Sequence, residues 1–187
     1  MNFTLPTTVE AGGETFAVRT DFRVILEILL MLQDGDLSEA DKAEALLTMF
    51  YLEPETVTDK KAAVQACFGF IDHSDRPAKK APRVMDWEQD WDAIIAPVNR
   101  VLGYEARSVP YDLITNTGGV HWWTFQAAFM EIGGDCLFAQ IVSIRDKVAR
   151  RKKLEKFERE WWRRNPELIQ LRQRYTDSEE SLLSEWT

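Results

Sequence analysis

The chain has 187 residues, 45% of them hydrophobic, which is enough for one ordinary domain with or without an appendage and for a core that needs no metal or disulfide. Its two cysteines, Cys67 and Cys136, lie far apart, and each reads as a small buried hydrophobe on a helix stripe in a reducing compartment. Net charge is −8, but residues 148–174 hold ten Lys/Arg against four Glu, so an arm of +6 hangs on a remainder of −14, which argues against general nucleic-acid binding and for self-assembly or a mixed-charge partner.

Thr7-Thr8-Val9 and Thr15-Phe16-Ala17-Val18 have strand composition, and Gly12-Gly13 supplies a turn tolerant of positive φ, so the chain opens on a small β-hairpin. Two strands alone are marginal, and the hairpin must lean on helices. A first helix starts at Thr20-Asp21. From residue 22 to 32 only Arg23 and Glu27 are polar, four apart, so one narrow stripe meets water. A second helix starts at Ser38, with Asp41 three residues on, and turns Ala43, Leu46, Leu47 and Phe50 inward. A third starts near Thr58, with Val64, Cys67, Phe68 and Ile71 on one face.

Residues 73–83 hold two prolines and no apolar period, and read as a linker. A fourth helix follows, capped by Asp86. It buries Trp87, Trp91, Ile94, Ile95, Val98 and Leu102, is kinked at Pro97 and stops at Gly103. A short helix or turn over 109–115 leads to an aromatic cluster. There Trp122, Phe125, Phe129 and Ile132 share one helical face, Trp123 widens it, and His121 serves at the helix start as a cap or hydrogen-bonding group. Trp122, Trp123, Phe125 and Phe129 are read as a structural hub, since large aromatics dominate core burial. Gly133-Gly134 breaks the helix. Asp135 caps the next one, whose stripe is Leu137, Ile141, Ile144 and Val148.

Beyond residue 148 the basic arm is read as helical over 150–160, with Leu154, Phe157 and Trp161 at helical spacing and a restart at Asn165-Pro166. The tail from Thr176 carries Asp177, Glu179, Glu180 and Glu185 and is expected to fray. The fold class is mainly α, a multi-helix domain with a small N-terminal β-hairpin and a C-terminal helical arm. Its domains are a core over 1–147, with an internal linker at 73–84, and the arm and tail over 148–187.

No catalytic apparatus is legible. The histidines and cysteines make no zinc spacing, Gly12-Gly13 and Gly118-Gly119 lack the context of a phosphate loop, and no Gly-x-Ser-x-Gly elbow occurs. Asp86/Asp90 and Asp90/Asp92 have a spacing open to a divalent ion, but carboxylates at a helix start serve more often as caps. The cations of the arm, with Trp161 and Trp162, have the ingredients for gripping RNA or DNA; the interspersed Glu155, Glu158 and Glu160 favour a solvated, salt-bridged helix. The expectation is a non-enzymatic protein with no cofactor or metal. The longest apolar run, residues 24–32, is broken by Glu27 and is far too short to span a bilayer, and no charged-then-apolar leader opens the sequence. No membrane partner and a cytoplasmic setting are expected.

Four blocks in order carry a resemblance: Thr20-Asp21-Phe22-Arg23, Asp86-Trp87-Glu88-Gln89-Asp90-Trp91, His121-Trp122-Trp123-Thr124-Phe125, and Phe138 onward through Ile144-Arg145-Asp146-Lys147. Together they resemble the gene-product-fifteen family of bacteriophage and prophage proteins, over residues 3–165. The His-Trp-Trp-x-Phe block is the most specific; the others persuade by their order. In that family the segment after Arg145 is often a shorter basic helix, so the arm and tail are less covered. The resemblance implies a place in the tail module, near the tape measure gene, and a tail assembly chaperone that holds the tape measure protein soluble until tube subunits displace it. It further implies residence in the host cytoplasm during assembly and absence from the mature virion. Anchors for such a client, or for self-association, are read at Leu154, Phe157, Trp161, Trp162, Arg163 and Arg164. The competing readings are a tail-completion or connector component of the virion and a nucleic-acid-binding regulator that uses the arm.

Overall fold

A computed structural model describes residues 4–72 and 82–172. It is mainly α, with eight α-helices and two small hairpins among the described residues. The chain forms two units that are discontinuous in sequence: 1–76 with 107–125 and 174–187, and 77–106 with 126–173. These boundaries are drawn differently from a core over 1–147 and an arm over 148–187. The linker expected at 73–84 and the tail from 176 fall largely or wholly outside the described residues.

In the first unit, β1 (Thr8–Ala11) and β2 (Glu14–Ala17) pair antiparallel, Thr8 opposite Ala17 and Ala11 opposite Glu14. Gly12 and Gly13, at φ +61 and +85, make the tight turn. Helix α1 (Phe22–Leu32) starts where Asp21 accepts from the N–H of Arg23, and Phe22, Ile25 and Ile28 are fully buried while Glu27 is exposed. Helix α2 (Glu39–Phe50) is capped by Ser38, whose Oγ accepts from Asp41 N–H at 3.2 Å. Its last turn has no basic residue of its own. Arg19 supplies one from outside the helix, its Nη1 donating to the carbonyls of Thr48, Met49 and Tyr51.

Helix α3 (Lys60–Asp72) buries Ala63, Cys67, Phe70 and Ile71. The face is rotated from the expected one: Phe68 is 44% exposed and Phe70 is inside, against Phe50 and Trp123. Positions 63, 67, 70 and 71 share a helical stripe as well as 64, 67, 68 and 71 do, and the aromatic neighbours settle the choice. Burial pushes the Cys67 thiol and the Tyr51 hydroxyl each up to about 12, so neither ionises at neutral pH; the Tyr51 hydroxyl donates to the Ala63 carbonyl at 2.8 Å. The segment expected as a helix or turn at 109–115 is a turn, the tip of a second hairpin of β3 (Tyr111–Asp112) and β4 (Thr117–Gly118), with a short 3-10 helix, Ala106–Ser108, just before it. Asp112 accepts from the N–H groups of Ile114 and Thr115 to shape its tip, a local pattern that competes with helix.

In the second unit, Asp86 does not cap a helix over 87–102. It closes a turn by accepting from Glu88 and Gln89 N–H, and α4 (Trp91–Leu102) starts later, ending at Gly103 with φ +79. Pro97 lies inside this helix. Helix α5 (Trp122–Met130) begins in the first unit and ends in the second. Helix α6 (Leu137–Ala149) is capped by Cys136, not Asp135: the Cys136 sulfur accepts from Ala139 N–H at 3.4 Å, and the residue is half-buried rather than part of an apolar stripe. The buried stripe is Phe138, Ile141, Ile144 and Arg145, with Leu137 and Val148 exposed. Among the described residues no helix is long and apolar enough to cross a membrane.

Candidate interaction surface

The four sequence blocks meet two by two, each pair within one unit. In the first unit Asp21 is 1% exposed, and its carboxylate takes Arg23 Nε at 2.6 Å and Nη2 at 3.0 Å together with the N–H of Val120 at 2.8 Å. The Arg23 guanidinium lies over the rings of Phe22 and Tyr111 and also donates to the Val109 carbonyl. Backbone bonds from Phe22 to Val120 and from Trp122 to Thr20 complete the junction of the first block with the His-Trp-Trp block.

The aromatic cluster divides. Trp122 donates its indole N–H to the Ile71 carbonyl and Trp123 to that of Phe70, which caps the end of α3; Phe125 stacks on Phe22 with centroids 4.5 Å apart. Phe129 lies in the second unit between Trp87 and Phe138. His121 caps α5: its Nδ1 accepts from Trp123 N–H at 3.1 Å, which leaves Nε2 to donate to the Pro6 carbonyl at 2.8 Å. This is the neutral tautomer. Burial lowers its pKa, more strongly than the Pro6 carbonyl raises it.

In the second unit the node is Arg145 with Asp90, both nearly fully buried. Arg145 also donates to the carbonyls of Leu168, Ile169 and Val84. Those first two carbonyls belong to α8 (Pro166–Ile169), which starts with Pro166 after Asn165. Gln89 adds bonds to the Glu167 and Gln170 carbonyls and accepts from Arg172 N–H. The block at 86–91 thus holds the C-terminal segment by its backbone. No local sequence signal marks this pairing.

The arm is not helical over the whole of 150–160: the chain leaves helix after α6 and re-enters it only at Lys156. Helix α6 ends in a Schellman motif, Lys152 N–H to the Lys147 carbonyl and Arg151 N–H to that of Val148, with Arg151 in the left-handed region at φ +55. The chain reverses, and α7 (Lys156–Arg164) starts with Glu158 reaching back to the Glu155 N–H at 2.8 Å. Glu158 is buried and takes Lys147 Nζ at 2.5 Å, and that bond holds its carboxyl below the usual range.

Of the anchors read from sequence, Leu154 goes into an apolar cluster with Ile141, Ile144 and Ile169, and Trp161 and Trp162 pack half-buried against it. Phe157, Arg163 and Arg164 remain on the outside, Phe157 at 62% exposure. Phe157, Glu160 and Arg164 fall three and four apart on one side of α7, with the exposed Lys152 and Lys153 just before the helix. The surface that remains is one exposed aromatic beside Glu160 and Arg164, on a helix that the buried Glu158 and the half-buried Trp161 and Trp162 fix to this unit. Among the described residues no group of three or more His, Cys, Asp or Glu is placed to hold a metal ion.

A mainly α protein with a small N-terminal hairpin is the class that this fold defines. The chain is a member of the family described as bacteriophage Gp15 protein, whose pattern matches residues 1–176. No curated protein and no solved structure gives a match. The family match runs through both units and on beyond α8, so it takes in the arm as well as the four blocks.

Proposed function

We propose that this phage protein acts in tail morphogenesis as a tail assembly chaperone, binding the tape measure protein and keeping it soluble until the tube polymerises around it. The observation that carries the reading is the α7 surface, where Phe157 stands exposed with Arg164 two turns on along the same side, the exposed Lys152 and Lys153 just before the helix and the exposed Arg163 near its end. A long amphipathic client helix offers apolar residues and carboxylates at helical spacing. One aromatic anchor with flanking cations engages both without forming a large permanent interface. Such single contacts are weak, and many copies along one client act by avidity, so tube subunits can displace them one at a time.

The reading is of a binding protein and not an enzyme, working in the host cytoplasm and absent from the finished virion. Copies aligned on one client are also set to touch one another. A test is titration of the purified chain with a soluble segment of the tape measure protein from the same phage. Saturable binding that is lost in Phe157→Ser is expected, and absence of binding by the unaltered chain would remove the reading. The competing reading, a virion component, predicts the chain in purified particles by mass spectrometry, where the chaperone is expected to be missing.

A further inference from the structure

Among the described residues the outer edge of the β1–β2 hairpin is paired only in part. The turn at Gly12-Gly13 sets Ala11 opposite Glu14 and Val9 opposite Phe16 as hydrogen-bonded pairs, and the Val18 N–H to Thr7 carbonyl bond continues that register. The backbone groups of Thr15 and Ala17 therefore point to the other side. A second ladder begins there around the Val18–Tyr51 bridge, with Arg19 N–H donating to Phe50 and Leu52 N–H donating to Ala17. Continued in register, its next donor toward Thr15 would be residue 54. That residue is Pro54, which has no N–H, and the chain turns away into the 3-10 helix Pro54–Thr56. The Thr15 backbone is left without a ladder partner on this side among the described residues.

The departure opens a cleft of about 580 Å³ between β2 and residues 52–58. Phe16 and Leu52 line it, half-buried, and the exposed Glu14 and Glu53 stand on its two walls. We propose that this cleft is a docking site in which an extended peptide segment carrying Lys or Arg adds to the free edge of β2 as an extra strand. The open backbone supplies main-chain hydrogen bonds, as in strand addition generally. Charge selects the occupant: the described residues of this unit hold fourteen Asp/Glu against six Lys/Arg, net −8, and both walls are acidic. The same charge disfavours a second β2, which would bring another Glu14 to an already acidic cleft. This inference does not depend on the chaperone reading.

The test is an NMR titration of the isotope-labelled full chain with a six-residue peptide of alternating threonine and lysine. The expected result is a saturable shift centred on the amides of Thr15, Ala17 and Thr56, weakened by salt and missing with the glutamate version of the peptide. Thr15→Pro removes the outward N–H and leaves the bonds to β1 in place. It should weaken binding several-fold, and Glu14→Lys with Glu53→Lys roughly tenfold, about 1.4 kcal/mol. If Thr15→Pro disturbs the hairpin, the charge variant decides, because both glutamates are exposed. No saturable shift at millimolar peptide, or equal binding by the charge-reversed chain, overturns the proposal.

Discussion

Arg145 clasps Asp90 through two parallel hydrogen bonds, Nη1 to Oδ2 at 2.6 Å and Nη2 to Oδ1 at 2.9 Å, with both side chains almost wholly out of water. The remaining Arg145 donors go to backbone carbonyls, so the cation is fully engaged where it is buried. Removing one partner leaves the other charge desolvated and unpaired. Asp90→Asn and Arg145→Met are each expected to destabilise the fold by about 3–5 kcal/mol. The double variant should lose much less than the sum. Urea unfolding of the four proteins measures this, and additive losses would contradict a coupled pair.

Gly119 sits at φ +76 against the Asp21 carboxylate, and a Cβ there would collide with Asp21 Oδ2. Gly13, at φ +85, has open space around the same position. Both glycines are needed for their backbone conformation, but only Gly119 is needed for its size. Gly13→Ala should cost about 1 kcal/mol from the left-handed backbone alone, and Gly119→Ala about 3 kcal/mol, since it also pushes on the buried Asp21 carboxylate and its bonds to Arg23 and Val120. Thermal or urea denaturation compares them; equal losses would show that the collision is relieved without harm to the Asp21–Arg23 pair.

Arg151 is the opposite case, a non-glycine residue at the left-handed position of a helix C-terminus. Arg151→Gly should stabilise the protein by roughly 0.5–1 kcal/mol, the relief of backbone strain being partly offset by the greater freedom of glycine in the unfolded chain. Arg150→Gly, one residue earlier at φ −88, should bring no such gain. The unfolding midpoints of the two variants provide the check.

His121 ties stability to pH. The folded imidazole is held below its ordinary value of about 6.5 by burial, and its unprotonated Nδ1 accepts the Trp123 N–H that caps α5. Below that value the unfolded chain takes up a proton that the folded state resists. The His121 contribution is therefore complete above about 6.5 and is lost as pH falls from there through the lowered folded value. Urea midpoints followed from pH 7.5 to 5.5 should drop more steeply in the unaltered chain than in His121→Asn, which has nothing to titrate at that position. Parallel profiles would contradict the assignment.

Local signals were sufficient where a structure is decided locally. Phe22–Leu32 is legible because a capping aspartate precedes a run with only two polar residues, and the first hairpin because Gly12-Gly13 between two strand-like runs tolerates the positive φ that a tight turn needs. Legibility ends where partners are distant in sequence. Whether α3 buries Phe68 or Phe70 depends on Phe50 and Trp123, and neither lies within its window. The stretch 150–160 reads as helical because Leu154, Phe157 and Trp161 keep helical spacing. It folds back because Arg151 turns left-handed and Leu154 inserts among Ile141, Ile144 and Ile169. The Asp90–Arg145 pair spans 55 positions, and a carboxylate at a helix start looks the same in sequence whether it caps the helix or meets a buried guanidinium.

The claim that matters most is that the α7 surface keeps the tape measure protein in solution. It is tested by expressing that client alone, with the unaltered chain, and with a chain carrying Phe157→Ser, Arg163→Glu and Arg164→Glu, then measuring the soluble fraction of the client. These side chains are exposed, so the variant should fold. The account predicts a soluble client only with the unaltered chain and a return to the insoluble level with the variant. A client as insoluble with the unaltered chain as without it, or equally soluble with the variant, would contradict it.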